Sequence, residues 1–285
     1  MRTISQTKCF GGVQGFYQHD SGVIGLPMKF SVYRPPQAQQ GGAPIPILFF
    51  LAGLTCTEET FMTKAGAQRY AAEHGIMLVA PDTSPRNTGI DGVAEKWDFG
   101  DGAGFYLDAT EAPWNQRFRM ESYLVDELLP LIKSEFAAHV GSFGKVGIFG
   151  HSMGGHGALT LALRHADVFS SVSAFAPITA PMQCGWGKKA FGNYLGSDQE
   201  SWREHDASAL MAQRTSPLTS AILIDQGLAD QFLRQQQLLP EQFEAACEKA
   251  GQPLTLRRHE GYDHGYYFIA SFMQDHLAFH AEQLK

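Results

Sequence analysis

Apolar positions along this chain recur with two different periods, and the switches between them lay out the expected elements. Met28 to Tyr33 alternates residue by residue, as a strand with one buried face does. Ile47 to Leu51 is a short apolar run bounded by turn residues, the pattern of a strand buried on both faces. Ile76 to Ala80, Val146 to Phe149, Ser171 to Ala176, Ile222 to Asp225 and Leu254 to His259 continue the strand series. Between them, Thr60 to His74, Met120 to Phe136, Ala158 to His165, Phe232 to Ala250 and Tyr267 to Leu284 carry helical spacing. Pro130 and Pro240 are expected to mark helix bends or starts, and the Pro-rich run from Pro35 to Pro44 an exposed loop. Strands and helices alternating in this way predict an α/β fold, a mainly parallel sheet covered by helices on both faces.

No linker, internal repeat or low-complexity segment divides the chain, so one domain over residues 1–285 is expected. One long stretch, Asp82 to Pro113, is rich in glycine and lacks periodicity. Loops of that kind at the carboxyl ends of parallel strands commonly build a binding site.

Composition narrows the class. A hydrophobic content of 44% with 18% charged residues is ordinary for a globular protein, and a net charge of −7 argues against nucleic acid or anionic membrane as a partner. Cys9, Cys56, Cys184 and Cys247 are widely spaced with no C-x-x-C pair, which fits free thiols rather than a disulfide framework or a zinc site. The amino terminus lacks the apolar core of a signal peptide, and Ile45 to Leu54, which contains Pro46, is too short to span a bilayer. A soluble, cytoplasmic protein is expected.

The chemistry centres on Gly150-His151-Ser152-Met153-Gly154, a G-x-S-x-G between the strand Val146–Phe149 and a helical run. That context is the one a nucleophile elbow requires, because a serine on so sharp a turn leaves no room for neighbouring side chains. Glycines at 154, 155 and 157 crowd the start of the following helix, where they weaken it. A serine hydroxyl needs an adjacent base, and in this arrangement the acid and the histidine follow the serine in the chain. His264, in the loop Glu260 to Gly265, is the expected base, and Asp230, at the end of a glycine turn after Ile222 to Asp225, the acid that orients it. Asp225 is the runner-up acid and is better read as capping a turn. Amides of Met153 and of Leu54, freed where a strand breaks at Gly53, are the expected oxyanion donors.

Other groups take plainer readings. His276 and His280 are spaced i, i+4 but lack the glutamate of H-E-x-x-H, and are expected on a solvated helix face. His151 and His156 are packing and hydrogen-bonding neighbours of the serine. Cys56 has no evident base and is taken as lining. Asp98, Asp101 and Asp108 do not match an EF-hand and are assigned to turns. No phosphate-binding glycine motif is present, and neither a cofactor nor a metal is expected.

Several longer segments carry a more specific signal. Leu51 to Glu59 (LAGLTCTEE), Gly104 to Thr110, Phe149 to Ala158 (FGHSMGGHGA), Ser173 to Ile178, Trp186 to Phe191 and Glu260 to Phe268 (EGYDHGYYF) resemble the S-formylglutathione hydrolase (esterase D) family, and the similarity runs from about Phe10 to the carboxyl end. The resemblance implies an α/β-hydrolase that cleaves S-formylglutathione to glutathione and formate in formaldehyde detoxification. It places serine, acid and histidine on Ser152, Asp230 and His264 and the oxyanion donors on Leu54 and Met153, and the family suggests a homodimer. The family commonly has serine where Ala52 and Gly265 stand. Trp97, Phe105, Tyr106, Trp114 and Trp186 are candidate walls of a narrow acyl site, and Lys188 and Lys189 candidate partners for glutathione carboxylates. A general short-chain carboxylesterase or deacetylase would share every catalytic residue. A non-catalytic binding protein on the same fold is the remaining alternative.

Overall fold

In the computed structural model, which describes residues 1–39 and 43–285, nine strands form one sheet in the order β1-β2-β3-β5-β4-β6-β7-β8-β9. The strands are β1 (Arg2–Cys9), β2 (Gly12–Asp20), β3 (Pro27–Arg34), β4 (Ile45–Leu51), β5 (Met77–Pro81), β6 (Phe143–His151), β7 (Phe169–Phe175), β8 (Ile222–Gly227) and β9 (Leu254–His259). From β5 across to β9 all neighbours are parallel, whereas β1, β2 and β3 join through antiparallel pairs. The expected α/β architecture is therefore present with an antiparallel flank that hydrophobic spacing does not reveal. β1 is exposed along almost its whole length, so nothing in its composition alternates. In β2, Gly15 breaks the pattern because the Tyr17 hydroxyl occupies its side-chain space; a Cβ there would lie 2.2 Å from that oxygen.

Helices lie on both faces, and β7 shows how. Ser171, Ser173 and Phe175 point to the carboxyl-terminal helix Tyr266–Gln283, and Phe175 stacks on His276 at 3.8 Å. Ala174 points the other way, toward Gly155 of the helix Met153–Arg164. The central strands β4, β5 and β8 are buried almost throughout, as their continuous apolar runs require.

Three helical expectations are modified. The run Thr60 to His74 is two helices, Glu58–Lys64 and Ala67–His74, broken at Gly66, which has φ +66°. Phe232 to Ala250 is also two, Gln231–Arg234 and Pro240–Ala250, with Leu239 in the left-handed region just before Pro240 at the helix start. Met120 to Phe136 is helical but contains a wide π-helical turn, Tyr123–Leu128, ending two residues before Pro130, which has no N–H to give a regular helix. The expected loop over residues 35–44 contains a 3₁₀ turn, Pro36–Gln39, and then falls partly outside the described residues.

His276 and His280 are not on a solvated face. Both are fully buried, because the last helix lays its polar stripe on the sheet rather than on water. His280 bridges Ser171 and Ser173 at 2.7 and 2.8 Å, and His276 joins Ser173 at 2.8 Å to Asp225 at 3.2 Å. Asp225 is likewise no turn cap. Its buried carboxylate accepts two bonds of 2.6 Å from Arg257, which also pairs with Asp275 at 2.6 Å. Burial alone would push the Asp225 carboxyl up, but the hydrogen bonds from His276 and Arg257 outweigh it and hold the group well below the usual carboxylate range.

Candidate active site

Ser152 stands where β6 ends and the helix Met153–Arg164 begins, with φ 58° and ψ −119°. Few non-glycine residues occupy this region, and a strained backbone here turns the hydroxyl out of the sheet. The turn is held by the Ser152 amide, which donates to the Phe175 carbonyl at 3.0 Å, and by the Ser152 carbonyl, which accepts from His156 and Ile178. The glycines are explained by contact. A Cβ on Gly150 would lie 2.2 Å from the Gly154 carbonyl oxygen, and one on Gly154 would lie 1.9 Å from that of Leu51. The β4 strand thus passes directly against the elbow, which brings the loop after β4 to the serine. Gly53 in that loop comes so close that a Cβ would sit 3.2 Å from both the Ser152 Cβ and the His151 ring.

Asp230 follows β8 and caps the helix Gln231–Arg234; its Oδ1 accepts from the Phe232 and Leu233 amides at 2.7 and 3.4 Å. Its Oδ2 faces His264 Nδ1 at 2.5 Å and Gln226 Nε2 at 3.3 Å. The carboxyl is fully buried, which by itself raises its pKa, but the His264 bond and the two helix amides outweigh burial and keep it below the ordinary value. Asp230 is an anion held rigidly against one nitrogen of His264. Asp225 makes no contact of this kind with His264.

The His264 imidazole is fixed on its sides as well. The Phe232 ring meets it edge-on at 4.8 Å, and the His151 ring lies 4.4 Å away. His151 is buried and neither of its ring nitrogens has a hydrogen-bond partner among the described residues. Burial and the neighbouring His264 push its pKa well down, so it is neutral. His156 is buried too, donates from Nε2 to the Phe105 carbonyl at 3.1 Å, and is pushed by burial to about 3.

Ser152 and His264 share a cavity of about 190 Å³ whose walls include Leu54, Cys56, Trp97, Trp186 and Phe232. The Leu54 amide makes no hydrogen bond among the described residues, and Met153 opens its helix, where the first amides have no helical partner. Cys56 lines this space as expected, and burial holds its thiol above its ordinary value, so it is no thiolate. Trp186 is buried against Phe232 at 4.8 Å, and Trp97, 55% exposed, packs edge-on against Trp186 at the rim.

Other candidates fall elsewhere. Lys188 is exposed and does not line the cavity, while Lys189 is paired with Asp98 at 2.5 Å. Phe105, Tyr106 and Trp114 do not line it either. Tyr106 is fully enclosed and donates to the Ala52 carbonyl at 2.8 Å, supporting the loop after β4 from below. Trp114 packs among Phe99, Phe118 and Tyr194. Asp108 accepts from the Ser122 amide at 3.0 Å, a turn-and-cap role. Phe232 is a site residue that sequence reasoning missed; a residue shortly after Asp230 in an otherwise helical run gave no sign of reaching the cavity. Among the described residues no cluster of His, Cys, Asp or Glu is arranged to hold a metal ion, and no helix is long and apolar enough to cross a membrane.

A mainly parallel sheet, a strained serine between strand and helix, and an acid–histidine pair following in chain order define an α/β-hydrolase of the serine-esterase class. The Esterase family model matches residues 21–279. The chain is 52% identical over 282 residues to an S-formylglutathione hydrolase of Arabidopsis thaliana, covering 99% of this chain and 97% of that one. It is 50% identical over 284 residues to an S-formylglutathione hydrolase of Rattus norvegicus, covering 100% and 99% of the two chains. A solved S-formylglutathione hydrolase structure from Agrobacterium tumefaciens superposes with a TM-score of 0.92 at 46% identity, covering 100% of both chains. The chain belongs to the S-formylglutathione hydrolase family of esterases. A ferulic acid esterase with TM-score 0.70 at 20% identity shares the fold alone.

Proposed function

We propose that this chain hydrolyses S-formylglutathione to glutathione and formate, with Ser152 as nucleophile, His264 as general base and acid, and Asp230 orienting His264. The observation that carries the chemistry is the buried Asp230 carboxylate on His264 Nδ1 at 2.5 Å, in a cavity that His264 shares with Ser152. The glutathione thioester rests on the relatives of about 50% identity over the whole chain.

In this reading Ser152 Oγ attacks the thioester carbonyl while His264 Nε2 takes its proton. Nδ1 keeps its proton toward Asp230, whose negative charge stabilises the imidazolium. The carbonyl oxygen becomes an oxyanion against the Leu54 and Met153 amides; each such donor is worth about 2.7–4 kcal/mol of transition-state stabilisation. The C–S bond breaks, the thiol leaves with the proton from His264, and a formyl-serine ester remains. Water, deprotonated by His264, attacks that ester and releases formate, and the proton returns to Ser152. Neutral His151 suits this cycle, since a second charged imidazole 4.4 Å from His264 would oppose the imidazolium.

A cavity of about 190 Å³ walled by Trp186 and Phe232 favours a small acyl group. The test is kcat/KM on S-formylglutathione compared with aryl acetates. The proposal expects the thioester to be preferred by orders of magnitude; equal or reversed values would instead identify a general short-chain carboxylesterase.

A further inference from the structure

The Leu54 amide lies on a loop with little regular structure, yet an oxyanion donor must already stand in place when charge develops. Three contacts from the long segment after β5 explain how it is held. The turn itself is closed by the Cys56 amide, which donates to the Gly53 carbonyl at 3.3 Å. Gly53 C=O and Leu54 N–H belong to one trans peptide and point in opposite directions, so anchoring the carbonyl aims the amide. The Thr55 amide donates to the Gly102 carbonyl at 2.9 Å, and Thr55 sits at φ +69°, a conformation that needs such support. At the end of the turn the Cys56 carbonyl accepts two bonds, from Thr83 Oγ1 at 2.6 Å and from Arg86 Nη2 at 3.0 Å.

Arg86 is in turn set by Asp82, which follows β5. Its Nη2 donates to Asp82 Oδ1 at 2.7 Å and its Nε lies 3.2 Å from each carboxylate oxygen. Asp82 is buried and also accepts from the Thr83 amide at 2.7 Å, so the carboxylate orders both donors that reach Cys56. The planar guanidinium suits this task, because one fork engages the carboxylate while a free N–H is aimed at the carbonyl.

We propose that Arg86, held by Asp82 and assisted by Thr83, is a positioning residue that fixes the Leu54 oxyanion donor by clamping the Gly53–Cys56 turn at the Cys56 carbonyl. The proposal rests on Leu54 acting as an oxyanion donor but not on the identity of the acyl substrate. It assigns the segment after β5 a second role: beyond bordering the site, it preorganises the electrostatics of the reaction.

The test uses the full chain with Arg86→Met and Thr83→Val, each assayed on S-formylglutathione and on 4-nitrophenyl acetate, with an alkylthio trifluoromethyl ketone as a probe of oxyanion binding. Arg86→Met is expected to lower kcat about 10- to 100-fold on both substrates with KM within about threefold, since an ångström-scale misplacement of a donor costs rate rather than ground-state binding. Affinity for the ketone should fall in proportion to kcat, and Thr83→Val should show the same signature at smaller size. A variant that is merely less stable would lose melting temperature while keeping kcat per folded molecule and ketone affinity, and that result would overturn the proposal. If Arg86→Met does not fold, unchanged kcat and ketone affinity in Thr83→Val overturn it equally. A wild-type enzyme that turns over the aryl ester but not the thioester would refute the substrate reading above while leaving the Arg86 test intact.

Discussion

Replacing Asp230 by asparagine separates the carboxylate just after β8 from that of Asp225 within it, and tests the chemistry of the site with almost no change in shape. The local hydrogen bonds dictate how the new amide would sit. Oδ1 receives the Phe232 and Leu233 amides, so the amide oxygen must remain there and its NH₂ must take the place of Oδ2. That NH₂ then faces His264 Nδ1 at the present 2.5 Å, and two donors cannot share that contact. The imidazole responds by accepting at Nδ1 and carrying its proton on Nε2, the nitrogen that must receive the serine proton. The wrong tautomer costs about 10⁴ in kcat for such a substitution, or about 5 kcal/mol of barrier. Steady-state kinetics on the thioester, with circular dichroism to confirm the fold, measures it. Asp225→Asn is the control: it weakens the contacts to Arg257 and His276 and should lower the melting temperature while kcat per folded molecule stays close to wild type. An Asp230→Asn enzyme within about tenfold of wild type would refute the tautomer argument, as would an equal loss from Asp225→Asn.

Two further outcomes follow from burial. His151, His156, His276 and His280 are all buried with pKa values pushed down by burial, His156 to about 3. The unfolded chain therefore binds more protons below a histidine's usual value of about 6.5, and stability should fall as pH drops from there, by up to about 1.4 kcal/mol per pH unit for each histidine that stays neutral. Urea midpoints between pH 7 and 5 measure this, and a flat profile would contradict it. Trp186→Ala removes a wall of the cavity and should raise kcat/KM for butyryl relative to acetyl esters by about tenfold or more, the scale on which a hydrophobic pocket senses chain length; an unchanged ratio would show that Trp186 does not bound the acyl group.

What could be read from the residues alone follows from how local each signal is. The strands β4 to β8 are buried on both faces, so their composition announces them, whereas β1 owes its place in the sheet to backbone pairing with β2 and carries no apolar code. The serine elbow was legible because glycine is forced by backbone contacts within a few residues. Both acids stand between the serine and the histidine in the chain, so the preference for Asp230 came from its place at the end of the glycine turn before a helix; what occupies Asp225 is not local, since Arg257 on β9 and His276 on the last helix claim it. The same distance hides the burial of His276 and His280, since i, i+4 spacing says that two side chains share a face and not which surface that face meets. Phe232 and the Arg86 clamp were invisible for a related reason, because both act through contacts between segments brought together only by the sheet. Gly265 opens the last helix without a side-chain cap.

The central claim is that Ser152, in the site with His264 and Asp230, hydrolyses S-formylglutathione. It is tested most directly by the initial rate of S-formylglutathione hydrolysis by wild type and Ser152→Ala at equal folded concentration. The account predicts rapid release of glutathione and formate by wild type and a loss of at least about 10⁴-fold in the variant, with an unchanged melting curve. Substantial turnover by Ser152→Ala, or a wild type inert toward the thioester, would contradict it.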